Sequence, residues 1–206
     1  MAESPGPAGE GPLFCDGLAV EKDDGMQVAS LRYFPGRAPF AQAVREVLGV
    51  GLPAALQALA LPSISEASAA VGAQSPPAQL LLAWRSPTET LCLAGNASIF
   101  APVRALVARR ADGCLVDLTS GLQVLRLSGE RIAELLSRLG GYGSVPQPGE
   151  TRRSRLADVP VFALSVQPAE TWLLVDRAYL PHLLDWIRET VRDLPGCAPE
   201  PRASRR

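Results

Sequence analysis

The chain has 206 residues, 47% hydrophobic and 20% charged, and 20 basic against 21 acidic side chains leave a formal net charge of −1. That length supports one ordinary core, and near-neutrality excludes nucleic-acid binding by bulk charge. No run approaches the ~20 apolar residues of a membrane span, and MAESPGPAGEG lacks the basic-then-apolar order of a secretory signal, so a cytoplasmic globular protein is expected.

Residues 1–25 are rich in Pro and Gly and end in the acidic Glu21–Asp24 run, so they are expected to form a flexible leader. MQVASLRYF (26–34) reads as a strand entering a turn at Pro35-Gly36. Phe40, Val44, Val47 and Leu48 share one face of a helix that Gly49 and Gly51 stop. QLLLAW (79–84) and TLCLA (90–94) form a strand pair about Ser86-Pro87, followed by a helix carrying Ile99, Val103, Leu106 and Val107.

CLVDLTS (114–120) reads as an extra strand. LQVLRLS (122–128) is a strand leading into a helix with Ile132, Leu135, Leu136 and Leu139, closed by Gly140-Gly141. Ser128 is the expected N-cap, with Glu130 near the positive end of the helix dipole. VPVFALS (159–165) and TWLLV (171–175) form a second strand pair, and a helix over 179–194 precedes a flexible tail at 196–206.

The order of elements repeats. A shift of 93 residues lays Gly36 on Gly129, Leu52 on Val145 and Pro53 on Pro146, while a shift of 81 lays Glu89-Thr90 on Glu170-Thr171 and Leu93 on Leu174. The difference places an insertion of 12 residues in the first half, within 63–77. The expected fold is therefore α+β: one pseudo-symmetric domain at 26–195, made of duplicated β-α-β-β-α halves at about 26–112 and 113–195.

Chemistry-bearing residues are few. His182 is the single histidine and Lys22 the single lysine; no C-x-x-C pair supports a metal cage, and Cys92 and Cys114 read as buried fillers within strands. On the last helix Leu180, Leu183, Leu184, Ile187, Val191 and Leu194 make an apolar stripe, leaving His182 and Trp186 one turn apart on the outer face as candidate partner contacts. TRRSR (151–155) is the densest charge cluster of the core, a solvated basic edge that also makes Arg152, Arg153 and Arg155 candidate contacts. Arg109-Arg110 suits the C-terminal dipole of its helix.

CLVDLTSGLQVLRLSGERIAELLSRL (114–139) resembles the D-x-S, strand, L-S-G, helix segment of the folate-dependent aminomethyltransferase fold. With ETRRSRLADVPVFALS (150–165) and TWLLVDRAYLPHLLDWI (171–187), the chain over about 26–194 resembles the gamma subunits of heterotetrameric sarcosine oxidases. The resemblance implies a non-catalytic subunit of a complex that demethylates sarcosine to glycine with oxygen and tetrahydrofolate. It implies larger alpha and beta flavoprotein partners and a small delta subunit, with FAD, FMN, NAD and zinc carried by those other chains, none by this one. Where aminomethyltransferases place a catalytic aspartate, RLADVPVFALS carries only Asp158. The alternative is a stand-alone module that binds folate or a similar planar anion between its halves. The first should present a broad apolar face, the second an enclosed pocket.

Overall fold

The computed structural model describes residues 13–34, 38–61 and 80–196. It opens with β1 (Leu13–Cys15), β2 (Leu18–Asp23), β3 (Gln27–Tyr33), α1 (Ala38–Leu48) and β4 (Ala58–Leu61). Next come β5 (Leu80–Ser86), β6 (Glu89–Ala94), a 3-10 turn at Ala97–Phe100, α2 (Ala101–Ala108) and β7 (Gly113–Asp117). The chain continues through β8 (Leu122–Ser128), α3 (Ile132–Gly140), a 3-10 turn at Tyr142–Ser144, β9 (Thr151–Leu156), β10 (Val159–Gln167), β11 (Glu170–Asp176) and α4 (Leu180–Arg192).

The strands form two antiparallel sheets, ordered β1-β2-β8-β11-β10-β9 and β4-β5-β6-β3-β7. Strands buried on both faces carry near-continuous apolar runs, which is why β5, β6, β10 and β11 read so clearly. Alternation sends Leu81, Leu91 and Leu93 of one sheet and Phe162, Leu164, Trp172 and Leu174 of the other into a shared core between the sheets. The opposite faces are covered by helices. Leu125, Leu127, Leu173 and Val175 pack beneath α3 and α4, and Leu31, Leu82 and Cys92 pack with Phe40, Val44 and Val103 of α1 and α2. The result is helix, sheet, sheet, helix, an α+β arrangement.

Several expectations need correction. Part of the flexible leader is ordered: β2 pairs with β8 from Ala19 to Asp23, and its Leu18 and Val20 are 4% and 3% exposed in the core under α3 and α4. Two apolar side chains on alternate positions, Leu18 and Val20, suffice to dock the strand, whatever the average composition around them. Each sheet segment holds one strand more than foreseen, β4 and β9, so β3 to α2 and β8 to α4 each run β-α-β-β-β-α. The division at 112/113 also fails in space, because β7 pairs with β3 and completes the first sheet while β2 completes the second.

Smaller differences have local causes. The helix after β8 begins late: Arg131 is the residue before Ile132, and exposed Ser128 ends the strand without capping. A Cβ on Gly129 would lie 2.1 Å from the carbonyl oxygen of Gly17, so the turn there is set by β2 crossing the strand end. Val47 is 38% exposed, off the α1 stripe. Cys92 is buried, and burial pushes its thiol up to about 12; Cys114 lies exposed on edge strand β7 and is no core filler. Residues 1–12, the Pro35-Gly36 turn, the 63–77 stretch and the tail beyond Gly196 lie outside the described residues.

Candidate functional site

The basic run 151–155 divides by strand alternation. In the β9–β10 register Arg153 lies opposite Phe162 and Arg155 opposite Pro160, so both point to the side shared by the two sheets. Arg152 lies opposite Ala163, on the helix side, where its Nη2 donates to Glu150 Oε1 at 2.9 Å. One sequence cluster thus serves two surfaces.

At the mouth between the sheets, Arg153 and Arg155 meet Arg85 from the end of β5 across a cavity of about 670 Å³. Its floor is apolar, with Leu91, Leu122, Phe162 and Leu174, and Asp176 and half-exposed Tyr179 stand on the rim. Arg85 is held by Glu89, Nη1 to Oε1 at 3.0 Å, and the same carboxylate oxygen accepts from Ser30 Oγ at 2.6 Å. Arg155 donates to the carbonyl of Asp158, within the turn that joins β9 to β10. The Arg153 guanidinium makes no hydrogen bond or ion pair among the described residues. Asp176 is engaged at the start of α4, accepting from the backbone N–H of Ala178 at 2.9 Å.

The other end of the same sheet face is filled by the chain itself. Arg126 Nε donates to Asp23 Oδ2 at 2.6 Å while its guanidinium stacks 4.7 Å from the ring centre of Trp172. Trp172 Nε1 in turn donates to Glu170 Oε1 at 2.7 Å. Here the carboxylate comes from β2 and the apolar platform from β11. At the first mouth the arginines and the apolar platform are present, and no described residue fills the space they face.

A second cavity, of about 640 Å³, lies beside β7 with Arg32, Phe34, Glu89, Asp112 and Cys114 on its walls. Its charges are paired internally: Arg110 binds Asp112 through both carboxylate oxygens, at 2.8 and 2.7 Å, and the Asp112 contact raises the Arg110 pKa further above its ordinary range. Among the described residues no group of three His, Cys, Asp or Glu is placed to hold a metal ion, and no helix is long and apolar enough to cross a membrane.

His182 and Trp186 sit where the helical period placed them, on the outer face of α4, with ring centres 6.5 Å apart and edge to face. Trp186 is 50% exposed while Leu183, Leu184, Ile187 and Val191 beside it are buried. They are on the far side of the sheet from Arg153 and Arg155, so the candidate contacts form two separate surfaces. Arg85 was not anticipated. Its signal was available, because alternation along LLLAWRS puts it on the face of Leu81 and Ala83.

What the mouth can do chemically is hold an anion. Guanidinium groups bind carboxylate or phosphate through paired N–H donors, and the apolar floor accepts the body attached to it.

No protein-family model matches the sequence, and no curated protein does. Solved structures do share the fold. A chain of the heterotetrameric sarcosine oxidase from Corynebacterium sp. U-96, solved in complex with pyrrole 2-carboxylate, superposes with a TM-score of 0.69 at 18% identity, over 89% of this chain and 88% of that one. Aminomethyltransferase T of the glycine cleavage system from Bartonella henselae superposes with a TM-score of 0.62 at 14% identity, over 83% of this chain and 45% of that one. The two-sheet arrangement with outer helices is therefore common to a sarcosine oxidase chain and to a part of an aminomethyltransferase. This chain spans less than half the length of the latter.

Proposed function

We propose that this chain is a gamma-type subunit of a sarcosine-oxidase-like complex, acting in assembly and support of larger flavoprotein chains. The observation that carries the reading is the end-to-end fold match: 88% of a chain of the heterotetrameric oxidase is covered, against 45% of the aminomethyltransferase. In this reading sarcosine demethylation, with FAD, FMN, NAD, zinc and tetrahydrofolate, belongs to the alpha, beta and delta partners. Trp186 and His182 on α4 form part of the contact surface, since a half-exposed Trp over a buried stripe is the kind of anchor that interfaces use.

We also infer that the two halves descend from a duplication. The order β4-β5-β6-β3-β7 matches β9-β10-β11-β8-β2 strand for strand. Both central hairpins shift register at corresponding points, Trp84/Ser86 and Ser165/Gln167.

The test is purification from the native cell with mass spectrometry of what accompanies the chain. Flavoprotein chains in equal proportion are expected; a monomer without companions refutes the reading. The free-standing alternative rests on the cavity at Arg85, Arg153 and Arg155. Saturable binding of tetrahydrofolate by the isolated chain, with no partner recovered, would replace the subunit reading by that one.

A further inference from the structure

We propose that the mouth at Arg85, Arg153 and Arg155, together with the open edge of β9, docks an extended acidic segment of a partner chain, with carboxylates at alternate positions. The proposal rests on the subunit reading above and names where one partner touches.

The backbone of β9 supplies the first half of the site. Among the described residues the sheet ends at β9, whose ladder is with β10 alone, an isolated bridge from Gln57 to Glu150 lying just before it. Thr151 N–H points away from β10 and donates to the carbonyl of Leu56 at 2.7 Å. Donors and acceptors alternate sides along a strand, so the N–H and C=O of Arg153 also point outward. Among the described residues no backbone group outside the ladder receives them. The edge is short, since Gly140 packs so closely on Arg155 that a Cβ there would lie 2.4 Å from the Arg155 carbonyl oxygen. The Thr151 end is thus taken by Leu56 and the Arg155 end by Gly140, so a short segment can be added across Arg153 between them, and an extended peptide on a sheet edge gains main-chain hydrogen bonds while alternate side chains enter pockets.

The side chains supply the second half. Arg153 and Arg155 are two residues apart and therefore on one face, beside the apolar floor and opposite Arg85. An added strand with acidic residues at alternate positions places both carboxylates on that same face, within reach of these guanidinium groups.

The molecule holds an internal precedent. On the opposite flank β2, whose sequence LAVEKD is itself acidic, lies beside β8 as an added strand and delivers the Asp23 carboxylate to Arg126 on the face between the sheets. There the Arg126 guanidinium also rests on Trp172. A partner segment at β9 would do from outside what β2 does from within.

The experiment uses the full chain in its purified complex. Hydrogen exchange over residues 151–156 is compared between free chain and complex, and capture of the partner is compared for wild type, Arg153→Glu/Arg155→Glu and the milder Arg153→Gln/Arg155→Gln. Expected are slower exchange at Arg153 on assembly, partner affinity lower by about tenfold or more in the charge-reversed chain, an intermediate loss with Gln, and unchanged melting of the isolated variants. Unchanged exchange with full capture by both variants overturns the docking site and leaves the subunit reading standing. Tetrahydrofolate occupying the mouth while the partner stays bound also overturns it. Recovery of no partner at all overturns both.

Discussion

Shortening Leu18 tests whether the early strand belongs to the core. Leu18 is 4% exposed, lies in the cluster beneath α3 and α4, and stands opposite Cys15 of β1, one residue before β2 begins its pairing with β8 at Ala19. Leu18→Ala removes buried methyl groups where the surroundings cannot collapse, because backbone presses from the other side: the Leu18 Cα is 3.1 Å from where a Gly129 Cβ would stand. Buried Leu→Ala changes cost about 2–5 kcal/mol. At ~2–4 °C per kcal/mol for a chain of this size, Tm should fall by about 5–15 °C. The control is Glu21→Ala on the same strand, exposed and expected to stay within ~0.5 kcal/mol. Thermal melts followed by circular dichroism, with urea titrations to check that the slope is unchanged, give both numbers. If Leu18→Ala melts no earlier than Glu21→Ala, β2 is dispensable and the order at residues 13–23 contributes nothing to the core.

Gly129→Ala should destabilise by about 3 kcal/mol or more in the same melts, because its φ of +120° and a Cβ 2.1 Å from the Gly17 carbonyl oxygen both oppose a side chain. Cys114 should react with a maleimide in the native chain and Cys92 only after unfolding. Burial raises the Cys92 thiol from 9.0 to about 12, so the stability it contributes is complete below 9.0 and is lost as pH rises toward 12; Cys92→Ala should flatten that alkaline loss in urea titrations. Trp186→Ala should leave the isolated chain within about 1 kcal/mol of wild type yet weaken recovery of its partners in a pull-down, with His182→Ala showing a smaller effect of the same kind. Equal recovery for both would remove α4 from the contact surface.

How far the sequence could be read depended on how strongly each element signals locally. LLLAW, TLCLA and TWLLV announced central strands, and the spacing of Leu183, Leu184, Ile187 and Val191 announced the buried side of α4. The early strand was missed because Leu18 and Val20 stand among glycines and acids, and their partners on β8 are distant in the chain: the Asp23–Arg126 contact spans 103 residues. β4 was missed because ALAL has no β-branched residue. The division of the arginines was legible in principle, since Arg153 and Arg155 share one parity and Arg152 the other. What alternation could not supply was which face met the second sheet, and so that Arg85, on the face of Leu81 and Ala83, would stand across from Arg153 and Arg155. Cys114 misled for a related reason: an apolar-looking position on an edge strand has a neighbour on one side only.

The exchange of β2 and β7 has a consequence for how this chain can come apart. Each sheet is completed by a strand whose successor in the chain lies in the other sheet, β2 before β3 and β7 before β8, so cutting the chain between α2 and β7 leaves two pieces, each without a strand that the other holds. Cut there, the chain keeps neither sheet complete in one piece. Its ladders join segments far apart along the chain, a topology that folds slowly and late in synthesis, since β2 must wait for β8 to emerge from the ribosome. A protease that nicks the chain between α2 and β7 should therefore yield either a fragment pair that stays together or complete digestion, never a stable half.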